Sequence, residues 1–153
     1  MKQHASFQSG KSLDLPTLRR LAWFRYRLRR FLHFSEQATR PYSVTPQQYV
    51  LLLGIAGYTG RGWATISELA EFLQESHNAV VGLVQRAVQK QLVRKDQSLD
   101  DRRFVRVQLT QRGATVLQKL GSLHYHELKR MQLQMGNALK APSQFIKAAQ
   151  GAR

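Results

Sequence analysis

The 153-residue sequence has no cysteine, only nine acidic residues and no apolar run of membrane-spanning length. Without cysteine there is no disulfide scaffold and no thiol-based sensing, and the composition fits a reducing cytoplasm, where we expect this protein. A transmembrane helix needs about 20 apolar residues, so we expect no membrane span and no membrane partner. The first residues, MKQHASFQSGKSLD, lack the apolar core of a signal peptide.

Motifs for catalysis are also missing. There is no Gly-rich phosphate loop after a strand and no G-x-S-x-G elbow, and no spacing links a serine to a histidine. His124 and His126 resemble a metal pair, but positions i and i+2 of a helix point about 200° apart. We therefore predict no enzyme, no metal site and no cofactor, and we interpret both histidines as structural or solvent-exposed. A small hydrolase or metal enzyme is the least favoured alternative.

Positive charge is what the chain has in excess. It carries 24 Lys and Arg against nine Asp and Glu, a net charge of +15. A charge this large on a small chain indicates a polyanionic partner, with nucleic acid first and an anionic membrane surface as the weaker alternative.

Residues 65–113 organise the chain. Thr65 and Glu68 form a capping box for one helix ending near Gln74, and Ser76 is the N-cap of a second helix, predicted over residues 76–91. A helical wheel of the second helix places five side chains inside: Ala79, Val80, Leu83, Val84 and Ala87. It places five outside, with Gly82 and Arg86 at the margin: His77, Asn78, Val81, Gln85 and Gln89. Amides pair with adenine and valine contacts the thymine methyl, so this face suits base edges. An ordinary amphipathic surface helix is the alternative.

A hairpin follows, with predicted strands over residues 92–95 and 104–109. Its tip contains Arg102 and Arg103 beside Asp100 and Asp101, and such arginines can enter a minor groove. Residues 63–65 are predicted to add a third strand, and Thr110 to cap the next helix.

These motifs resemble those of the MarR-type winged helix-turn-helix regulators. Asp101-Arg102-Arg103 with Val105, Val107, Leu109-Thr110, Gly113 and Leu117 is similar to the family's D-R-R-x-x-x-V-x-L-T-x-x-G-x-x-x-L wing signature. Thr45-Pro46-Gln47-Gln48-Tyr49, Ser67-Glu68-Leu69-Ala70 and Leu83-Val84-Gln85-Arg86 resemble its earlier segments. The chain departs from the family where Val81-Gly82 replaces a Thr-Arg-like pair, Gln85 an Asp and Gln91 a Gly.

The resemblance implies a mainly α fold with a small antiparallel β-wing, in one domain. Residues 1–40 and 114–153 would supply dimerisation helices, and residues 41–113 the winged helix-turn-helix core. It implies a homodimeric regulator, most often a repressor, that reads a near-palindromic operator through helix 76–91 and the wing 94–106. Because Gly82 removes an arginine from the reading helix, an architectural DNA binder with little sequence choice is the alternative.

The expected site residues fall into four groups. His77, Asn78, Val81 and Gln85 would read bases. Arg40, Ser76, Arg86, Arg94 and Lys95 would contact the backbone, and Arg102 or Arg103 the minor groove, with Arg103 the one paired to Asp101. Related regulators bind aromatic or lipophilic anions, and a similar effector pocket here would be lined by Trp23, Tyr26, Arg27, Tyr49 and Trp63. An ordinary aromatic core is the alternative for these five residues.

The remaining helices are read from caps and periodicity. The first should run from a cap at Asp14 to about Gln37, with an apolar arc opposite a stripe of cations and aromatics that includes Arg27. That stripe is interpreted as a solvated or partner-contacting face, with phosphate contact as the alternative. A helix capped by Thr45 should turn Tyr49, Leu52, Leu53 and Ala56 inward, before a loop at residues 57–62. The helix after Thr110 should stop at Gly136-Asn137, and a last one should span residues 144–149.

Overall fold

The computed structural model describes residues 12–97 and 104–140, with side chains through residue 133. Its helices are α1 (Leu15–Thr39), α2 (Pro46–Leu53), α3 (Ile66–Leu73), α4 (His77–Gln89) and α5 (Gln111–Lys140). Its strands are β1 (Trp63–Thr65), β2 (Val93–Gln97) and β3 (Val105–Leu109). A 3-10 turn (Arg40–Tyr42) follows α1, and a π-helical turn (Gly54–Tyr58) follows α2. This is the predicted mainly α architecture with a small antiparallel sheet.

The chain divides into two units. One is Phe31–Leu128, and the other is formed by the described residues of Met1–Arg30 and Lys129–Arg153. None of the helices within the described ranges combines the length and the apolar character needed to cross a membrane.

Helix α1 begins at the predicted cap. Asp14 Oδ1 accepts the N–H of Thr17 at 3.0 Å, and hydrogen bonding with the side chain and then the backbone of Thr17 lowers the pKa of the carboxyl group. The helix ends at Thr39, two residues beyond the predicted end at about Gln37. The 3-10 turn ends at Tyr42, and the left-handed backbone of Ser43 (φ 55°) then breaks the helical path.

Helix α2 has the predicted N-terminus but a different inward face. Thr45 and Gln48 exchange side chain and backbone hydrogen bonds at 3.1 Å each, in a capping box with Pro46 in the first turn. The predicted inward positions Leu53 and Ala56 are exposed, whereas Tyr49 and Leu52 are buried as expected. Gln48, Leu51, Leu52 and Ile55 form the buried stripe. Because residues 49–53 are apolar on every side, periodicity could not select the stripe that packs.

The loop predicted at residues 57–62 starts later than expected. The π-helical turn keeps the backbone helical through Tyr58, and only then do Gly60 (φ 69°) and Gly62 (φ 78°) reverse the chain. Positive φ is sterically inexpensive only for glycine, so these two positions make the turn into β1.

The sheet has the order β1-β3-β2, with both pairs antiparallel. The predicted third strand is therefore confirmed. Ala64 and Lys95 both lie opposite Val107, and the side chains of Ala64, Val93 and Val107 are buried beneath the sheet. Strand β2 is longer than predicted, because Asp96 and Gln97 continue the pairing to Arg106 and Val105.

The sheet joins α5 at a close backbone approach. Thr110 Oγ1 accepts the N–H of Gly113 at 3.0 Å, which confirms the predicted cap. A Cβ atom at position 113 would overlap the carbonyl group of Leu92, so only glycine lets the first turn of α5 lie against the start of β2.

Helix α5 does not stop at Gly136-Asn137 but continues to Lys140. One glycine costs a helix only about 1 kcal/mol, which the rest of a long helix can offset. The short helix predicted at residues 144–149 lies outside the described residues.

Candidate nucleic-acid interface

Helices α3 and α4 are joined by a tight turn with defined caps at both ends. Thr65 Oγ1 accepts the N–H of Glu68 at 3.2 Å, and Glu68 Oε2 accepts the N–H of Thr65 at 2.8 Å. Helix α3 closes at Gln74, which is left-handed (φ 54°), and Ser76 Oγ then accepts the N–H of Ala79 at 3.2 Å. Both predicted caps, at Thr65 and Ser76, are therefore confirmed.

Helix α4 is anchored by one face and open on the other. Val80, Leu83, Val84 and Ala87 are buried in the core. The predicted outward residues His77, Asn78, Val81, Gln85 and Gln89 are all exposed, and Val81 exposes 38% of its surface. The face is polar and carries no ionisable side chain except His77, so it has the chemistry of base-edge contacts.

Two details of α4 differ from the prediction. Ala79 is exposed, because it lies about 90° around the helix from the centre of the buried face. The helix ends at Gln89 and not at residue 91, because Gln91 is left-handed (φ 57°) and the N–H of Leu92 returns to the carbonyl oxygen of Ala87 at 2.9 Å. Gln91 thus occupies the position where the resemblance places a glycine.

Arg86 lies at the margin of the open face and reaches back along the helix. Its Nη1 atom is 3.3 Å from the place that a Cβ atom at Gly82 would occupy. The missing side chain at position 82 thus leaves room for the guanidinium group of Arg86.

The wing strands hold Arg94 on one sheet face and Lys95 on the other. Arg94 Nη2 donates to Gln108 Oε1 at 2.8 Å, and its Nε lies 3.5 Å from Asp96 Oδ2. Lys95 and the exposed Phe104 line a groove of about 270 Å³ that His77 and Val81 of α4 also line. The predicted tip residues Asp100, Asp101, Arg102 and Arg103 lie outside the described residues.

Comparisons with known proteins give structural matches only. No protein-family model and no curated protein matches the sequence. The chain is similar to AbsC of Streptomyces coelicolor, a MarR family transcriptional regulator, at 20% identity, 91% coverage of this chain, 99% of that chain and a TM-score of 0.68. Wild-type apo MarR from E. coli is 20% identical, with 87% coverage of this chain, 90% of that chain and a TM-score of 0.62. A point mutant of S. aureus MepR bound to an oligodeoxyribonucleotide is 17% identical, with 86% coverage of this chain, 96% of that chain and a TM-score of 0.61.

The chain has the MarR fold. The predicted resemblance is confirmed at the level of the fold, since identities of 17–20% support the architecture and not the function.

Within this MarR fold, Trp63 belongs to a cluster on the outer face of the sheet. The guanidinium carbons of Arg61 and Arg106 lie 3.9 and 4.6 Å from its ring centroid. Arg61 also donates to both carboxylate oxygens of Glu68, at 2.6 and 2.7 Å. The backbone N–H of Thr65 and the guanidinium of Arg61 together lower the pKa of Glu68.

Sequence reasoning named Trp63 but missed both of its arginines. Arg106 could have been found from the alternation of β3, which places it on the polar face with Gln108. Arg61 lies in the Gly-rich turn, where no periodicity indicates a direction.

Tyr49 lies in the core of the MarR fold, stacked on His124 with the ring centroids 4.2 Å apart. Burial raises the pKa of Tyr49. His124 is buried, and its Nδ1 lies 2.7 Å from the carbonyl oxygen of Leu120 and its Nε2 2.8 Å from Ser35 Oγ. No spacing in the sequence indicates this contact, because the two residues are 89 positions apart.

The contacts of the Ser35–His124 pair are those of a buried hydrogen bond that stabilises the core. Both side chains are 7% exposed, and the rings of Phe31, Phe34 and Tyr49 surround the imidazole. A buried imidazole with both nitrogens hydrogen-bonded satisfies its polar atoms. The interpretation of His124 as structural fits these contacts, and His126 is exposed. Among the residues with described side chains, no three His, Asp or Glu groups converge as metal ligands would.

Trp23, Tyr26 and Arg27 lie together in the unit made from the chain ends. The rings of Trp23 and Tyr26 stack at 5.6 Å, and Arg27 Cζ is 5.5 Å from the Trp23 centroid. Arg27 is only 7% exposed, so the expectation of a solvated side chain is wrong at this position. That the five aromatic and arginine residues line an effector pocket stays a prediction.

Proposed function

We propose that this protein is a homodimeric DNA-binding transcriptional regulator of the cytoplasm. The observation that carries the proposal is the open face of α4, whose neutral polar side chains stand beside wing strands bearing Arg94 and Lys95. Two such helices would enter successive major grooves about one helical turn apart, on a near-palindromic operator. The S. aureus MepR variant of the same fold, solved with an oligodeoxyribonucleotide, supports this assignment.

The proposed contacts divide by chemistry. Asn78 and Gln85 read adenine edges, His77 hydrogen-bonds a base, and Val81 meets a thymine methyl. Backbone contacts come from Ser76, Arg86, Arg94 and Lys95, and from Arg40, which is exposed at the start of the 3-10 turn. Arg102 or Arg103 enters the minor groove from the wing tip.

Exposed apolar side chains support the homodimer. On α1, Leu15, Leu18, Leu21, Phe24 and Leu32 are each 47–58% exposed. On α5, Leu123, Leu128 and Leu133 are 43–72% exposed. Several large apolar side chains exposed along one helix mark an interaction site, and a second copy of the chain would cover those of each helix.

Repression and release by an aromatic or lipophilic anion complete the proposal. A carboxylate would meet an arginine such as Arg27, with aromatic rings around it. Calorimetry with salicylate-like ligands tests this part. If a broad panel produces no heat and no change in DNA affinity, the effector is removed from the proposal.

Gly82 favours one competing function, an architectural DNA binder with little sequence choice. The position carries no side chain to contact a base, and a net charge of +15 gives strong attraction to any duplex. Footprinting separates the two, because a regulator protects a discrete two-fold site and an architectural protein coats the duplex uniformly.

Selection of bound sequences from random duplexes at stated salt tests the central claim. We expect a two-fold motif, and we expect Asn78→Ala to cost about 1–3 kcal/mol on that motif. Gln118→Ala, an exposed amide on α5 away from α4, is the matched control. If Asn78→Ala binds the motif and random DNA as the wild type does, Asn78 does not read a base.

A further inference from the structure

A second cleft lies beside α4, on the flank away from the wing. It measures about 300 Å³, and its polar lining comes from two short segments: Thr45, Gln47 and Gln48 at the start of α2, and Arg86, Gln89 and Lys90 at the end of α4. On a helical wheel, Arg86 is about 180° from His77, which lines the groove next to the wing. The open face of α4 is therefore bordered by the wing on one side and by this cleft on the other.

The cleft has positive charge and no acid in its lining. It contains two cationic side chains, three amides and one hydroxyl group. Among the described side chains no ion pair involves Arg86 or Lys90. Two cations that line one cleft without a counter-charge attract an anion, and a partly enclosed site strengthens that attraction compared with open water.

Lys90 is held in position by neutral oxygens. Its Nζ donates to the carbonyl oxygen of Ser43 at 2.6 Å and to Gln48 Oε1 at 3.3 Å. Gln48 is 2% exposed, and its Oε1 also accepts the N–H of Thr45 at 3.1 Å, so it is itself fixed. An ammonium group has three donors, which leaves a third for a ligand while the charge stays unneutralised. A preorganised cation of this kind binds with little loss of side-chain entropy.

Arg86 supplies the second cation, four residues before Lys90 at the end of α4. Because Gly82 has no side chain, the guanidinium group lies against the helix, with Nη1 3.3 Å from the missing Cβ position. The planar guanidinium fork matches the oxygens of a phosphate, which it can bind through two parallel hydrogen bonds.

We propose that this cleft binds a phosphate oxyanion, a backbone phosphate of the DNA strand opposite the wing, with Lys90 and Arg86 as its ligands. The inference rests on the proposed function and adds to it Lys90, which sequence reasoning did not single out. Lys90 and Arg86 on one flank and Lys95 on the other would hold the two strands that border the same major groove.

The salt dependence of DNA binding tests the proposal. The affinity falls as salt rises, and each lost phosphate contact reduces the magnitude of the slope of log K against log salt by about one. We expect Lys90→Gln and Arg86→Gln each to reduce the magnitude of this slope by about one per chain and to weaken binding to all duplexes alike. Lys119→Gln removes an equal charge from an exposed site on α5 and should change the slope less. Lys90→Arg should restore the slope, and thermal unfolding checks that each variant is folded.

Titration with inorganic phosphate distinguishes the source of the oxyanion. We expect phosphate to shift the amide resonances of residues 45–48 and 86–90, and Lys90→Gln to weaken this binding about tenfold or more. If phosphate shifts these amide resonances but Lys90→Gln and Lys119→Gln have the same salt slope for DNA binding, the cleft binds a free phosphate group and the DNA contact is overturned. With neither effect, the cleft is not an oxyanion site, although a discrete operator motif would still support the proposed function. If the wild type binds no DNA, the proposed function fails and the phosphate titration alone decides the cleft.

Discussion

The carbonyl group of Leu92 occupies the space that a Cβ atom at Gly113 would need. We expect Gly113→Ala to destabilise the fold by about 1–3 kcal/mol or more, because backbone atoms of the sheet would have to move. Urea unfolding measures the change. Gly121→Ala, in the same helix with nothing within 4 Å of its added Cβ, is the control and should be neutral or stabilising. Equal unfolding curves for the two variants would show that the approach at Gly113 is not tight.

Gln91 carries a left-handed backbone (φ 57°) between α4 and β2. A residue with a Cβ atom pays about 1–2 kcal/mol for this conformation, and glycine does not. We therefore expect Gln91→Gly to raise the unfolding free energy by up to about 1 kcal/mol. Gln85→Gly, at an exposed position inside α4, should lower the unfolding free energy by about the same amount. If both substitutions destabilise the protein, the left-handed assignment at residue 91 is wrong.

Local chemistry made most of the fold predictable from the sequence. The caps at Asp14, Thr45, Thr65, Ser76 and Thr110 are encoded within three residues of each helix start, and the alternation of β3 is equally local. The inward stripe of α2 was missed because the segment is apolar on all sides, so only its neighbours choose the face. The Ser35–His124 bond and the Lys90 cleft depend on contacts over 89 and more than 40 positions, which no local pattern contains.

Glu68 links the cap of α3 to Arg61 and, through it, to Trp63. Because its pKa is lowered in the folded protein, its contribution is complete above the unfolded value of about 4.3 and is lost as the pH falls through the folded value. We expect Glu68→Gln to cost about 0.5–1 kcal/mol at pH 7, and the gap to the wild type to close in strong acid. Thermal unfolding from pH 7 to pH 3 measures this.

Glu75→Gln removes the same charge from an exposed position between α3 and α4 and is the control. A gap between wild type and Glu68→Gln that is the same at both ends of the pH range would contradict the role assigned to the carboxylate.

Leu21 stands in the middle of the exposed apolar stripe of α1, with 51% of its surface accessible. In a two-fold dimer that covers this stripe, Leu21→Glu would bury two unpaired charges, which costs several kcal/mol. We expect the dissociation constant of the dimer to rise at least about 100-fold and operator binding to fall with it. Sedimentation velocity over a range of protein concentrations measures the first effect. Leu13→Glu, an equally exposed leucine that precedes α1, should leave the assembly unchanged. A wild-type protein that sediments as a single chain would refute the dimer, and a dimer that tolerates Leu21→Glu would place its interface elsewhere.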